Sequence, residues 1–172
     1  MRLKQLVLVS VAALAPAVLG GLPAGAADTT VTFTVTSGAL TITAPAGPVS
    51  LGSTTAGNTV SGPIGAVTVT DARGGTPTSD WIAQVSSTAF VGPTDTIPAS
   101  AATYTPGSGT LIVGNGALTP GVPGNLSAQR VAMTYTGGTG NSQAQWSPTL
   151  AVAVPLSAGL GTYTGTVTHS VA

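Results

Sequence analysis

The chain has no cysteine, one histidine and only 5% charged residues among 172. Without cysteine there is no disulfide, no thiolate nucleophile and no site for an N-terminal lipid anchor. Zinc sites draw most of their three or four ligands from Cys and His, so a single His169 leaves such a site without its usual donors. Glutamate is absent, and the acidic residues are Asp28, Asp71, Asp80 and Asp95. The only lysine is Lys4. Aromatic residues make up 4%, too few for the girdles of an outer-membrane barrel.

What the chain does have begins at its start. Arg2 and Lys4 precede an apolar run over residues 6–19, broken at Pro16, and Ala24-Gly25-Ala26 supplies small residues. This is the layout of a secretory signal peptide over residues 1–27, cleaved after Ala26 or Ala27. The run is shorter than the roughly 20 residues that span a bilayer, so no membrane span is expected in the mature form. Cleavage leaves Arg73 and Arg130 against four aspartates, a formal charge of −2. Polyanion binding needs several cationic contacts to phosphates, which excludes nucleic acid as an expected partner.

The remaining residues, 28–172, suit one domain. Several short segments alternate apolar and hydroxyl residues with period two, the pattern of a half-buried strand. The clearest is Thr30-Val31-Thr32-Phe33-Thr34-Val35-Thr36, followed after Ser37-Gly38 by residues 40–43. Further strands are expected at 66–70, 81–86, 111–113, 131–136, 149–154 and 162–171. The chain's 24 Gly and 13 Pro fit frequent turns between short strands. The expected fold is all-β, a single antiparallel sandwich of Ig-like or Greek-key type. Helix is limited to a turn near residues 99–102. Residues 93–125 read as irregular loops with an edge hairpin around 111–113 that turns at Asn115-Gly116.

Motifs for chemistry are sparse. There is no G-x-S-x-G elbow beside His169, and neither Gly107-Ser108-Gly109 nor Gly137-Gly138-Thr139-Gly140 has the lysine and following helix of a phosphate loop. Both glycine clusters read as hairpin turns. Asp71 and Asp80 lack a glutamate partner and read as turn residues. No catalytic residue, metal site or cofactor is expected. The Thr-x-Thr pieces lie at irregular distances, unlike the regular rungs needed to order water.

One constellation is more specific. Val67-Thr68-Val69-Thr70-Asp71-Ala72-Arg73-Gly74-Gly75 is followed by Ser79-Asp80-Trp81-Ile82-Ala83-Gln84-Val85. A strand thus ends in an Asp-x-Arg-Gly turn and returns through a tryptophan. This resembles the WxL-type cell-surface domains of Gram-positive bacteria, in which V-x-D-x-R-G precedes a Trp-x-Leu strand; here Ala83 stands in the leucine position. The C-terminal Gly161-Thr162-Tyr163 likewise looks like that family's closing strand. The resemblance implies a secreted protein bound to the cell wall.

Asp71 and Arg73 are spaced to pair across their turn, with Arg73 placed to stack on Trp81. Trp81 and Trp146 are either core anchors or flat faces for sugar rings. Trp81, Trp146, Asp71 and Arg73 are therefore the candidate ligand-binding residues. The expected function is non-enzymatic, non-covalent binding to cell-wall peptidoglycan, since no Leu-Pro-x-Thr-Gly sorting motif occurs. The expected partners are wall glycan or other surface proteins. The alternative is a homo-oligomeric subunit of a surface layer or fibre assembled through strand edges, which no lysine protects. A secreted hydrolase is the third reading.

Overall fold

Threonine and valine carry branched β-carbons that fit a pleated, half-buried surface, and they dominate the segments that become strands. The structure, a computed structural model, describes residues 29–74 and 79–172. The expected signal peptide, residues 1–27, lies outside the described residues. The chain divides into two units, residues 1–34 and 35–172. In the first, residues 29–34 are exposed and form no strand.

The second unit carries fourteen strands among the described residues. These are β1 (Leu40–Thr43), β2 (Thr59–Pro63), β3 (Val67–Asp71), β4 (Trp81–Ser87), β5 (Phe90–Val91), β6 (Thr96–Ile97) and β7 (Ala102–Thr105). They continue with β8 (Gly109–Val113), β9 (Ala117–Pro120), β10 (Gly124–Asn125), β11 (Arg130–Thr136), β12 (Ser142–Trp146), β13 (Thr149–Ala153) and β14 (Val167–Val171). A 3-10 turn spans Ala99–Ala101. All pairings are antiparallel, and the fold is an all-β sandwich as expected.

Three four-stranded sheets run β1-β3-β12-β8, β10-β7-β13-β2 and β14-β4-β11-β9, and β5 pairs with β6 in a small fourth sheet. The first two sheets continue one another. β2 leads into β3, β7 into β8 and β12 into β13 across gaps of two or three residues, so that three strands bend at the same level. Proline marks each bend: Pro63 before Ile64-Gly65-Ala66, Pro106 before Gly107, and Pro148 after Ser147. Gly65 and Gly107 have φ of +88° and +73°, which other residues adopt only with strain. The Ile64 amide donates to the Pro148 carbonyl at 3.0 Å, tying two bends together. Gly107-Ser108-Gly109 is thus part of a bend rather than a hairpin turn.

The core lies between this bent layer and the sheet β14-β4-β11-β9. Trp81 stacks on Tyr135 with ring centroids 5.3 Å apart, and Val67, Val69, Val85, Met133, Ala144 and Trp146 fill the space around them. β3 reads buried at Val67, Val69 and Asp71 and only partly buried at Thr68 and Thr70, the alternation its sequence announces.

Several expectations change, among them the last strand, expected over 162–171 and formed as β14 only at Val167–Val171. Residues 30–36, the clearest alternating segment, form no strand, and Val31, Phe33 and Val35 are 80%, 86% and 84% exposed. Alternation suits a segment to a sheet, but the ladder also needs a partner strand. Residues 93–125 hold five strands rather than irregular loops. Within them β8 and β9 are edge strands, yet they do not form a hairpin: β8 pairs with β12 and β9 with β11, in different sheets. Gly137 to Gly140 likewise carries the chain from one sheet to another, between β11 and β12.

Candidate functional site

Strand register decides which side chains meet. Thr41 lies opposite Thr70, which lies opposite Gln143; Thr43 lies opposite Thr68, which lies opposite Gln145, itself opposite Thr110. Because side chains alternate, the same strands send Ile42, Val69, Ala144 and Leu111 to the other face. The outer face of β1, β3, β12 and β8 therefore carries two cross-strand rows of hydroxyls and amides.

These rows are bonded to one another. Gln143 Nε2 donates to Thr70 Oγ1 at 3.3 Å, and Gln145 Nε2 donates to Thr68 Oγ1 at 3.1 Å. The Thr41 and Thr43 hydroxyls donate to the carbonyls of Thr70 and Thr68 at 3.4 and 3.5 Å. The side chains are thereby held in fixed directions, with the glutamine carbonyl oxygens left as acceptors. A hollow of about 180 Å³ adjoins one end of the rows, lined by Thr70, Asp71, Val113, Asn141 and Gln143 among others. Two Thr-x-Thr pieces thus sit in register, which irregular sequence spacing did not reveal, although the third strand supplies glutamine instead.

Asp71 and Arg73 do meet. Asp71 Oδ1 accepts from the Arg73 amide at 3.0 Å and from Nε at 2.9 Å, and Oδ2 accepts from Nη2 at 2.8 Å. Arg73 Nη2 also donates to the Asp80 carbonyl at 3.1 Å, tying the end of β3 to the start of β4. The Arg73 hydrogen bond holds the Asp71 carboxyl below its ordinary value. Asp71 is 1% exposed and the Arg73 side chain 40%, so the pair secures the turn with its carboxylate buried and its guanidinium partly in solvent. The other described aspartates also hold loops. Asp80 Oδ1 accepts from the Gly137 amide, while Asp95 accepts from the Gly159 amide and the Tyr163 hydroxyl.

Both tryptophans are core residues, each 2% exposed, so neither indole offers a face to a sugar ring. The ring stacked on Trp81 is Tyr135 rather than the expected Arg73 guanidinium. Trp81 Nε1 reaches Ser142 Oγ at 3.5 Å. Of the two expected roles, core anchor and sugar-stacking face, burial matches the core anchor for both tryptophans.

Trp146 opens a relay that sequence reasoning missed. Its Nε1–H donates to Tyr104 Oη at 3.1 Å, and Tyr104 Oη lies 3.1 Å from His169 Nε2. Indole only donates, so Tyr104 Oη accepts from Trp146, while the direction of its bond with His169 Nε2 depends on which ring nitrogen carries the proton. Nδ1 is buried and has no hydrogen-bond partner. Burial pushes the His169 pKa down to about 4 and that of Tyr104 up to about 12, so both are neutral near pH 7.

His169 also lines a groove of about 1000 Å³. Val60, Leu150 and Val152 line it from the bent layer, Val167 and His169 from β14, with Phe90 and Ile97 between. Among the described residues no three His, Cys, Asp or Glu side chains gather in a metal-binding group. Comparison with protein-family models, characterised proteins and solved structures finds no match.

Proposed function

We infer that the mature chain is an exported, non-enzymatic β-sandwich held at the cell envelope by non-covalent contact with wall glycan. On this reading it is a divergent relative of the WxL-type surface domains. The observation that carries the reading is the outer face of β1, β3, β12 and β8, where threonine and glutamine stand in two bonded rows without a charge among them. Sugar hydroxyls are matched by uncharged donors and acceptors fixed in direction, and prior fixing lowers the entropic cost of binding. This face replaces the buried tryptophans as the surface offered to glycan.

The test is co-sedimentation of residues 28–172 with purified peptidoglycan. Replacing exposed Thr43 and Gln145 by alanine removes two hydrogen-bonding groups at about 0.5–1.5 kcal/mol each, so binding is expected to weaken about tenfold. Unchanged sedimentation of that variant, or none by the parent, overturns the reading.

A further inference from the structure

Residues 30–36 carry a strand pattern that no sheet among the described residues uses, and the sandwich holds an apolar groove. Residues 30–36 keep a strict alternation in which Val31, Phe33 and Val35 share one side, and all three are at least 80% exposed. Single exposed apolar residues are ordinary; three in a row on one side of an extended segment are a sheet face without its sheet. The chain offers no lysine or glutamate to discourage pairing there.

The groove has the complementary chemistry. Its walls are apolar at Val60, Phe90, Ile97, Leu150, Val152 and Val167. It is bordered by β2 and β14, each the last strand of its sheet and each paired on one side only, with β13 and β4 respectively. Each border strand has five residues, the length needed to receive three alternating side chains. His169, which lines the groove, has its Nδ1 buried with no partner.

The geometry points to residues 30–36 of a second copy of this chain as the occupant of the groove, added as a strand at its border with Val31, Phe33 and Val35 facing inward. An extended peptide gains affinity from main-chain pairing and specificity from alternate side chains entering apolar pockets, and this segment and this groove supply both. No charge has to be buried in the process. Donor and acceptor lie on different parts of one chain, so each copy both gives and receives. The contact is therefore head-to-tail and extends into chains unless it closes on itself. This inference stands apart from glycan binding, which uses the outer face of β1, β3, β12 and β8.

The experiment uses residues 28–172 and two single-cysteine variants, Phe33→Cys and Val60→Cys. Only a contact between copies joins the two variants when they are mixed and oxidised. The expected result is a covalent heterodimer as the dominant product. Sedimentation velocity of the parent should show mass rising with concentration, and Phe33→Asp, at an exposed position, should remain a folded monomer by circular dichroism. A parent that stays monomeric overturns the proposal, as does association that Phe33→Asp leaves intact. A Phe33→Cys/Val60→Cys double variant that closes its disulfide within one chain also overturns it. Peptidoglycan co-sedimentation of Phe33→Asp is measured alongside, so that failure of assembly and failure of glycan binding are read separately.

Discussion

Lowering the pH from about 7 to about 4.5 should weaken the fold through His169 alone. In the unfolded chain this ring titrates near 6.5, whereas burial holds it at about 4 in the folded protein. As pH falls below 6.5 the unfolded state takes up a proton that the native state refuses, and stability drops by about 1.4 kcal/mol per unit until pH approaches 4. The full loss is about 3 kcal/mol, of which about 2 kcal/mol is reached by pH 4.5, a large share of a typical domain's stability. Asp71 and Asp95 are held below the ordinary 3.8, so their contributions are present above that value and are lost only at lower pH. Tyr104, raised to about 12, stays neutral throughout. The assay is urea unfolding followed by the fluorescence of Trp81 and Trp146, on the parent and on His169→Gln. The parent should lose about 2 kcal/mol across the window and the variant less than about 0.5 kcal/mol. Equal losses in both proteins, or none in the parent, would refute the burial of a neutral imidazole beside Tyr104.

Asp71→Asn keeps the shape of the side chain but removes the charge that receives three bonds from Arg73; because the Arg73 side chain is 40% exposed, the expected loss is about 2 kcal/mol rather than the 3–5 of a fully buried pair. Thermal unfolding checks it, and the difference from the parent should shrink as pH falls below the unfolded carboxylate value of 3.8. Gly65→Ala places a Cβ 2.4 Å from Pro45 Cγ on backbone with φ of +88°, so it should destabilise by about 1–3 kcal/mol in urea titration. Trp146→Phe retains the apolar ring and removes the donor to Tyr104, so a loss of about 1–2 kcal/mol with a native circular dichroism spectrum is expected.

Much of the fold was legible where alternation, punctuation and burial agree. Residues 40–43 form β1 as read, and 66–70, 81–86, 131–136 and 149–154 match β3, β4, β11 and β13 to within a residue at each end. The strands that escaped notice carry weak patterns. β2 ends in Gly62-Pro63, and β12 alternates serine, alanine and tryptophan with glutamine, so its buried face is small at two of three positions. Residues 30–36 misled for the opposite reason, since their pattern is strong but states only which face is apolar and not what covers it.

At the site, proximity in sequence revealed the Asp71–Arg73 pair, two positions apart. The Thr/Gln rows could not be seen the same way, because Thr43, Thr68, Gln145 and Thr110 meet only through strand register. The Trp146, Tyr104 and His169 relay joins β12, β7 and β14 across the sandwich, and only topology brings those strands together. Tryptophan drew attention as a rare aromatic, yet in a chain so poor in large side chains the two indoles are what the core most needs.

The central claim is that an uncharged threonine and glutamine face meets wall glycan. Amide and side-chain NMR shifts of residues 28–172, followed during titration with a soluble peptidoglycan fragment, test it most directly. The expected result is a set of perturbed signals confined to Thr41, Thr43, Thr68, Thr70, Gln143 and Gln145, with the side-chain amides of the two glutamines moving most. A titration that leaves those signals in place, or that moves signals on a different face, would contradict it.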